Sequence, residues 1–134
     1  MNSIRILSSS TIIAILTLLF AVTSANASML PIISQTELNA RIEQGKAPLI
    51  LDVRTGGEYA KGHVPGAKNF PHTTLMERAS RIAGYKQKEV VLYCETGPRA
   101  NFAHIVLQQH GFTKIRHLEG HMTGWREAGL PIEQ

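Results

Sequence analysis

Cys94, the one cysteine of this chain, is its residue best suited to covalent chemistry. It follows an apolar run, residues 90–93, and precedes a short loop that contains Gly97 and Pro98 and ends at Arg99. The apolar run predicts a strand, and the spacing after the loop predicts a helix. Backbone N–H groups at a helix start, together with an arginine, favour a thiolate and bind anions. The pattern therefore predicts a thiolate nucleophile that acts on an anionic substrate.

The elements that would position this sulfur form an alternating series. Ser or Thr followed three residues later by Glu, a capping box, predicts helices that begin after Ser34, Thr55 and Thr74 and end near residues 44, 62 and 84. Strands are predicted at residues 49–53, 67–70, 89–93 and 114–118, and further helices at residues 99–110 and 122–128. This alternation predicts an α/β domain with a mainly parallel sheet. Ligands of such sheets bind beyond the carboxyl ends of the strands, where Cys94 is expected.

Two helices carry predictions about the core. Phe102, Ile105 and Val106 share one face of the predicted helix 99–110, which indicates core packing. Trp125 is expected to anchor the last helix in the core.

Residues 1–27 have the pattern of a secretory signal peptide. Arg5 is their single charged residue, an apolar stretch covers residues 12–22, and Ala25-Asn26-Ala27 supplies small residues before Ser28. We expect cleavage before Ser28, which leaves one domain of residues 28–134. The alternative is an uncleaved anchor, but the apolar stretch is shorter than the about 20 residues that span a bilayer. The pattern predicts export, most simply to a bacterial periplasm, with no stable membrane insertion after cleavage.

The charge pattern and the cysteine count restrict the function further. The formal net charge of +4 is spread over scattered Lys and Arg residues, without a basic run, so nucleic-acid binding is not expected. A basic balance favours small anionic substrates. A lone cysteine in an oxidising compartment indicates an intermolecular partner or a reactive thiol, and the alternative is an inert buried cysteine.

Three segments of the chain resemble the rhodanese (sulfurtransferase) family. They are Leu51-Asp52-Val53-Arg54 with Glu58-Tyr59 and Gly62-His63-Val64-Pro65-Gly66-Ala67; Val91-Leu92-Tyr93-Cys94 with the loop to Arg99; and Leu118-Glu119-Gly120 with Trp125 and Ala128-Gly129-Leu130-Pro131. Together they cover nearly all of residues 28–134, in the family's order. The resemblance implies a rhodanese-like doubly wound fold, with a central parallel sheet flanked by helices.

The resemblance also implies the reaction. Cys94 would be the nucleophile that takes a sulfane sulfur from a donor such as thiosulfate and becomes a persulfide. Cyanide or a thiol, which a partner protein could carry, would then accept the sulfur. The substrate-binding and anion-binding loop would consist of Glu95, Thr96, Gly97, Pro98 and Arg99. No cofactor and no metal is implied.

Two other functions fit the same scaffold. One is a non-catalytic persulfide carrier or sensor, and the other is a phosphatase or an arsenate reductase. The related phosphatases have one more residue in the loop, and reductases of that kind usually need a second, resolving thiol. The four residues between Cys94 and Arg99 therefore favour sulfur over phosphate. The chain departs from the family pattern at Ala100, where Ser or Thr is frequent, and at His121, where a second Gly is common.

Several other polar residues have a structural interpretation beside a functional one. Arg54 is expected at the rim of the site, and Asp52 is expected to hold the following turn through His63. A Glu95 carboxylate aimed at the sulfur would oppose ionisation, so it is expected to face solvent or to pair with Arg99 or Lys61.

A metal site is also weighed at the end of the last strand. His117 and His121 are four residues apart, but a strand end and a turn lie between them. Since no Cys or carboxylate completes a ligand set there, a metal site is not expected.

Overall fold

The computed structural model describes residues 30–134. The predicted signal peptide, residues 1–27, and its cleavage point lie outside the described residues. No helix within residues 30–134 is long and apolar enough to cross a bilayer.

A five-stranded sheet forms the centre of the fold, and every strand pairing in it is parallel. The elements in chain order are β1 (Ile32–Ile33), α1 (Gln35–Glu43), β2 (Leu49–Asp52), α2 (Gly56–Lys61), β3 (Lys68–Asn69), α3 (Leu75–Arg78), a 3₁₀ segment (Ala79–Tyr85), β4 (Val90–Tyr93), α4 (Pro98–Gln109), β5 (Ile115–Leu118) and α5 (His121–Glu127). The strand order is β1-β5-β4-β2-β3, which places β4 in the middle. The predicted doubly wound α/β architecture is confirmed.

Alternation along the central strands builds one core on each face of the sheet. Leu49 and Leu51 of β2 pack with Val90 and Leu92 of β4 on the face covered by α3 and α4. The intervening residues Ile50, Val91 and Tyr93 pack on the opposite face with α1 and α5, where Trp125 is fully buried as expected. Because successive side chains point to opposite faces, fully apolar strands supply both cores.

The chain changes direction between β2 and β4. The connection after β2 leads outward to β3, whereas the connection after β4 leads to β5 on the other side. In open α/β sheets such a switch leaves a crevice beyond the strand ends. Cys94 and Arg54 follow these two strands, so the topology places both residues at that crevice.

The helix predicted from Thr74 to near Gly84 is wrong in length and in its cap. The Thr74 hydroxyl donates to the Pro71 carbonyl at 3.3 Å instead of accepting from the helix. The α-helix covers only Leu75–Arg78, and a 3₁₀ segment with non-helical geometry at Ile82 continues it.

The core face predicted for α4 is also wrong. Phe102 and Ile105 are 49% and 55% exposed, whereas Val106 is buried. The face against the sheet instead carries Ala100, Ala103, His104 and Leu107, together with Val106. The small side chains of Ala100 and Ala103 pack against the sheet, while the large side chains of Phe102 and Ile105 point outward.

Candidate active site

The sulfur of Cys94 lies at the carboxyl end of the central strand, beneath the start of α4. Cys94 is 1% exposed, and its Sγ accepts the Gly97 backbone N–H at 3.0 Å. Gly97 is the residue before α4, and Pro98 occupies the first turn, where its missing N–H costs no helix bond. The predicted loop therefore directs the Gly97 N–H at the sulfur, which stabilises negative charge there.

Arg99 reaches the site from the first turn of α4, and Glu58 of α2 holds it. Its two terminal nitrogens donate to the two carboxylate oxygens of Glu58, each at 2.7 Å. These hydrogen bonds raise the pKa of Arg99 against the opposing effect of burial, and the facing Cys94 sulfur acts in the same direction. The same pair lowers the pKa of Glu58 to about 2. Arg99 is therefore a fixed cation beside the sulfur.

The carboxylate of Glu58 has a second role, in the capping box that begins α2. It accepts the Thr55 backbone N–H at 3.0 Å, while the Thr55 hydroxyl accepts the Glu58 N–H at 3.2 Å. The capping box that begins α2 therefore also positions the Glu58 carboxylate that accepts hydrogen bonds from Arg99. In the sequence, Glu58 is a helix signal and part of a segment that resembles the rhodanese family, but neither pattern predicts its contact with Arg99.

Arg54 is buried next to the loop, where Asp52 holds it inside the protein. Arg54 is 2% exposed, and its guanidinium donates to Asp52 at 2.6–3.1 Å and to the Gly62 carbonyl at 2.8 Å. Burial opposes its charge, but the hydrogen bonds and the charge of Asp52 raise the pKa of Arg54 overall. Asp52 thus holds the turn through Arg54 itself rather than through His63.

His63 has a structural role, but its side-chain partner is Tyr59 and not Asp52. Its Nδ1 lies 2.9 Å from the Tyr59 carbonyl, and its ring stacks on the Tyr59 ring at 3.7 Å. Its backbone exchanges hydrogen bonds with Glu133 near the C-terminus.

Glu95 turns away from the sulfur, but its partners differ from those predicted. Its carboxylate accepts from Arg54 at 3.2 Å, from Thr123 at 3.2 Å and from Arg126. Neither Arg99 nor Lys61 contacts it, since Arg99 is occupied by Glu58. The negative charge of this loop residue is thus balanced before it can oppose a thiolate.

The histidines near the end of β5 form a row, in which His104 and His117 are buried and His121 is half-buried. His104 Nδ1 lies 2.9 Å from His117 Nε2, and the ring of His117 meets the ring of His121 edge-on at 6.1 Å. Burial lowers the pKa of His117 to about 4 and lowers the pKa of His104 and of His121 as well. Within residues 30–134, no group of three or more His, Cys, Asp or Glu side chains is placed to hold a metal ion.

An apolar groove adjoins the loop on the side of α3. It has a volume of 620 Å³, and its walls include Met76, Phe102, Pro98 and Arg99. Ala100, where the family often has a hydroxyl, is fully buried in the core beneath. The groove gives a substrate larger than a small anion a surface beside the sulfur.

Comparison with known proteins identifies the class of this domain. The rhodanese-like domain family matches residues 34–128. A sulfurtransferase of Allochromatium vinosum is 34% identical over 100 residues, which cover 75% of this chain and 92% of that protein. The tRNA uridine(34) hydroxylase of Escherichia coli is 33% identical over 104 residues; the match covers 72% of this chain but only 29% of the hydroxylase.

Solved structures agree with the sequence matches. A rhodanese-related protein from Thermoplasma volcanium superimposes with a TM-score of 0.66 at 28% identity, covering 77% of this chain and 97% of that one. The rhodanese-like domain of an Anabaena sp. protein gives a TM-score of 0.69 at 31% identity, covering 78% and 80% of the two chains.

Proposed function

The chain belongs to the rhodanese-like domain family, and on this basis we propose that it is a sulfurtransferase that carries sulfane sulfur as a persulfide on Cys94. The observation that carries the proposal is the placement of a buried sulfur at the end of the central strand, with the Gly97 N–H donated to it. Arg99, fixed by Glu58, adds a cation beside it. A backbone N–H and a guanidinium both stabilise negative charge, so these groups favour the binding of an anionic substrate and the release of an anionic product.

The first half-reaction transfers sulfur to the protein. The Cys94 thiolate attacks the outer sulfur of thiosulfate, a new S–S bond forms, and the bond to the sulfonate sulfur breaks. The products are the Cys94 persulfide anion and sulfite, so charge is conserved. The loop amides and Arg99 stabilise the charge that develops on both products.

The second half-reaction returns the enzyme to its starting form. Cyanide or a thiolate, free or on a partner protein, attacks the outer sulfur of the persulfide, and Cys94 leaves as a thiolate. The products are thiocyanate or a new persulfide. Two half-reactions through a covalent intermediate are covalent catalysis with ping-pong kinetics.

Intact mass spectrometry after incubation with thiosulfate tests this proposal. The expected result is one added sulfur atom in the wild-type protein and none in Cys94→Ser. Addition of cyanide should then remove that sulfur and release thiocyanate, because a true transferase turns over. Sulfur that loads but does not leave would instead indicate a carrier. If no sulfur loads and a phosphate ester is cleaved, the proposal is wrong.

We also propose, from the pattern of residues 1–27, that the protein is exported to a bacterial periplasm. Expression of the full chain in a bacterium with two membranes should yield a periplasmic protein that begins at Ser28. Edman sequencing of that fraction measures the cleavage point, and a membrane-bound chain that keeps residues 1–27 would contradict the proposal.

A further inference from the structure

The first turn of α5 lies directly against the loop that carries Cys94. The Met122 N–H donates to the Cys94 carbonyl at 3.0 Å, and the Thr123 N–H donates to the Glu95 carbonyl at 3.2 Å. These two bonds fix the carbonyl groups of the first two loop residues. His121, which immediately precedes them, contacts the same loop through its side chain.

The ring of His121 touches the loop at two points. Its Nδ1 accepts the Cys94 backbone N–H at 3.3 Å. Its other edge lies close to Gly97, where an added Cβ would stand only 3.2 Å from Nε2. Gly97 also has a φ of 130°, which side-chain-bearing residues rarely adopt. The ring therefore accepts a hydrogen bond from Cys94 and fills the space beside Gly97.

The backbone of His121 is held in an unfavourable conformation. Its φ is 53°, and within residues 30–134 it is the one residue other than glycine with a positive φ. A left-handed conformation costs a residue with a side chain about 1–2 kcal/mol. Such strain persists where neighbouring contacts enforce it, and it is concentrated at functional sites. At His121 it directs the imidazole at the Cys94 amide.

The hydrogen bond to Cys94 requires a neutral ring. A backbone N–H can only donate, so Nδ1 must be unprotonated and the ring proton must lie on Nε2. Burial lowers the pKa of His121, which favours this form. The titratable groups that face it are Cys94 from the end of β4 and His117 from β5, with His104 of α4 behind His117. The Glu95 carboxylate of the loop is held by two arginines.

We propose that neutral His121 is a positioning residue for sulfur transfer, whose Nδ1 holds the Cys94 amide so that the sulfur faces the loop N–H groups. The inference rests on the proposed function for its kinetic consequence, but the hydrogen bond itself exists without turnover. Protonation of His121 replaces the acceptor with a second donor, and the anchor of the loop is lost. A substitution that removes the Nδ1 acceptor should have the same effect as protonation, because the Cys94 amide again loses its hydrogen-bond acceptor.

Nitrogen-15 NMR of the wild-type protein at pH 7.5 tests the geometry directly. The expected spectrum shows His121 with an unprotonated Nδ1 and a protonated Nε2, and a Cys94 amide proton whose shift follows the titration of His121. A protonated Nδ1, or a Cys94 amide that ignores this titration, would overturn the proposal.

Two substitutions at His121 test the consequence. His121→Leu keeps apolar bulk but removes the acceptor, whereas the side-chain oxygen of His121→Asn can replace Nδ1. We expect His121→Leu to slow both alkylation of Cys94 by iodoacetamide and sulfur loading from thiosulfate by about tenfold to a hundredfold, because small misplacements of a reacting atom have effects of this size. His121→Asn should restore most of both rates and should lack the acid-side decrease that comes from protonation of His121.

The control is His110→Leu, which makes the same chemical change at the far end of α4 and should leave both rates unchanged. Alkylation separates this proposal from the proposed function. If the wild-type protein takes no sulfur but its variants still alkylate in the expected order, the function fails and the positioning role stands. Equal alkylation and loading rates in wild type and His121→Leu would refute the positioning role, whatever the function.

Discussion

Charge near Cys94 is arranged in pairs, so that no carboxylate is free to face the sulfur. Glu58 occupies Arg99, while Asp52 and Glu95 share Arg54. Thiosulfate, the proposed sulfur donor, carries two negative charges. The rate at which it approaches Cys94 therefore depends on the summed charge of these side chains. Among the three carboxylates of these pairs, Glu95 is the one that belongs to the loop itself.

Substitution Glu95→Gln should accelerate sulfur loading from thiosulfate. It removes the carboxylate that balances Arg54 and Arg126 and so leaves both arginines with charge to attract an anion. One unit of charge in a partly screened site is worth about 1 kcal/mol, or about fivefold in the second-order rate constant. Stopped-flow measurement of loading should show this gain at low salt and a smaller one at high salt.

Glu127→Gln serves as the matched control, because it makes the same charge change at an exposed position of α5. Its loading rate should stay near that of the wild type. A slower reaction in Glu95→Gln would show that the Glu95 contacts with Thr123 and Arg126 matter more for loop shape than for charge.

At the scale of the element, the capping box of α2 connects helix formation to the site. Thr55→Ala removes a hydroxyl that caps α2 and that donates to the Glu58 carboxylate at 2.9 Å. We expect a loss of about 1 kcal/mol in the free energy of unfolding, typical of a lost cap. We also expect sulfur loading to slow about threefold to tenfold, because Arg99 loses its fixed partner.

Ser34→Ala separates these two effects. Ser34 caps α1 beside the edge strand β1, two strands away from β4. Urea denaturation should show a similar loss of stability, while the loading rate should not change. An equal decrease in the loading rate of both variants would mean that the rate follows overall stability and not the contact of Arg99 with Glu58.

The face of α4 offers a second prediction at this scale. Phe102→Ala should lower the free energy of unfolding by less than about 1 kcal/mol, because its ring is half exposed. Leu107→Ala on the same helix should lower it by about 2–5 kcal/mol, because Leu107 is fully buried. Urea denaturation of the two variants measures the difference. A larger effect at Phe102 would show that Phe102 lies in the core, as the sequence pattern predicts.

The same helix shows where sequence reasoning succeeds and where it fails. The apolar runs 49–51 in β2 and 90–93 in β4 identify buried strands because every residue in these two runs packs in one core or the other. Hydropathy alone favours Phe102 and Ile105 over Ala100 and Ala103 as core residues of α4. In the structure the alanines are buried and the two large residues are exposed. This follows from the orientation of the helix on the sheet, which hydropathy does not determine.

Some features of the site could likewise be predicted from the sequence, and others could not. Cys94, its loop and Arg99 are consecutive in sequence, so their proximity could be predicted from the chain alone. The partners of Glu95 and Arg99 lie 28 to 41 residues away along the chain, and only the tertiary fold brings them together. His121 was noted as a departure from the family pattern, but no sequence signal shows that its ring meets the Cys94 amide.

At the scale of the whole molecule, buried neutral histidines should make stability depend on pH. Burial lowers the pKa of His117 from an ordinary value of 6.5 to about 4, and His104 and His121 change in the same direction. Below pH 6.5 the unfolded chain binds more protons than the native state, so the free energy of unfolding falls with pH. For His117 the loss grows as the pH falls from 6.5 and is complete only below about pH 4, where the folded form also binds the proton.

The carboxylates act in a lower pH range. The pKa of Glu58 is lowered to about 2 and that of Glu89 is lowered as well, so their contributions are present above pH 4.5 and are lost below it. Urea denaturation at intervals between pH 7.5 and 4.5 therefore reports mainly on the histidines. His117→Gln should flatten the curve in this interval, because glutamine does not titrate, while His110→Gln should leave it unchanged. A wild-type stability that stays constant from pH 6.5 to 4.5 would contradict the neutral state of the buried histidines, on which the anchoring of the Cys94 loop by His121 also depends.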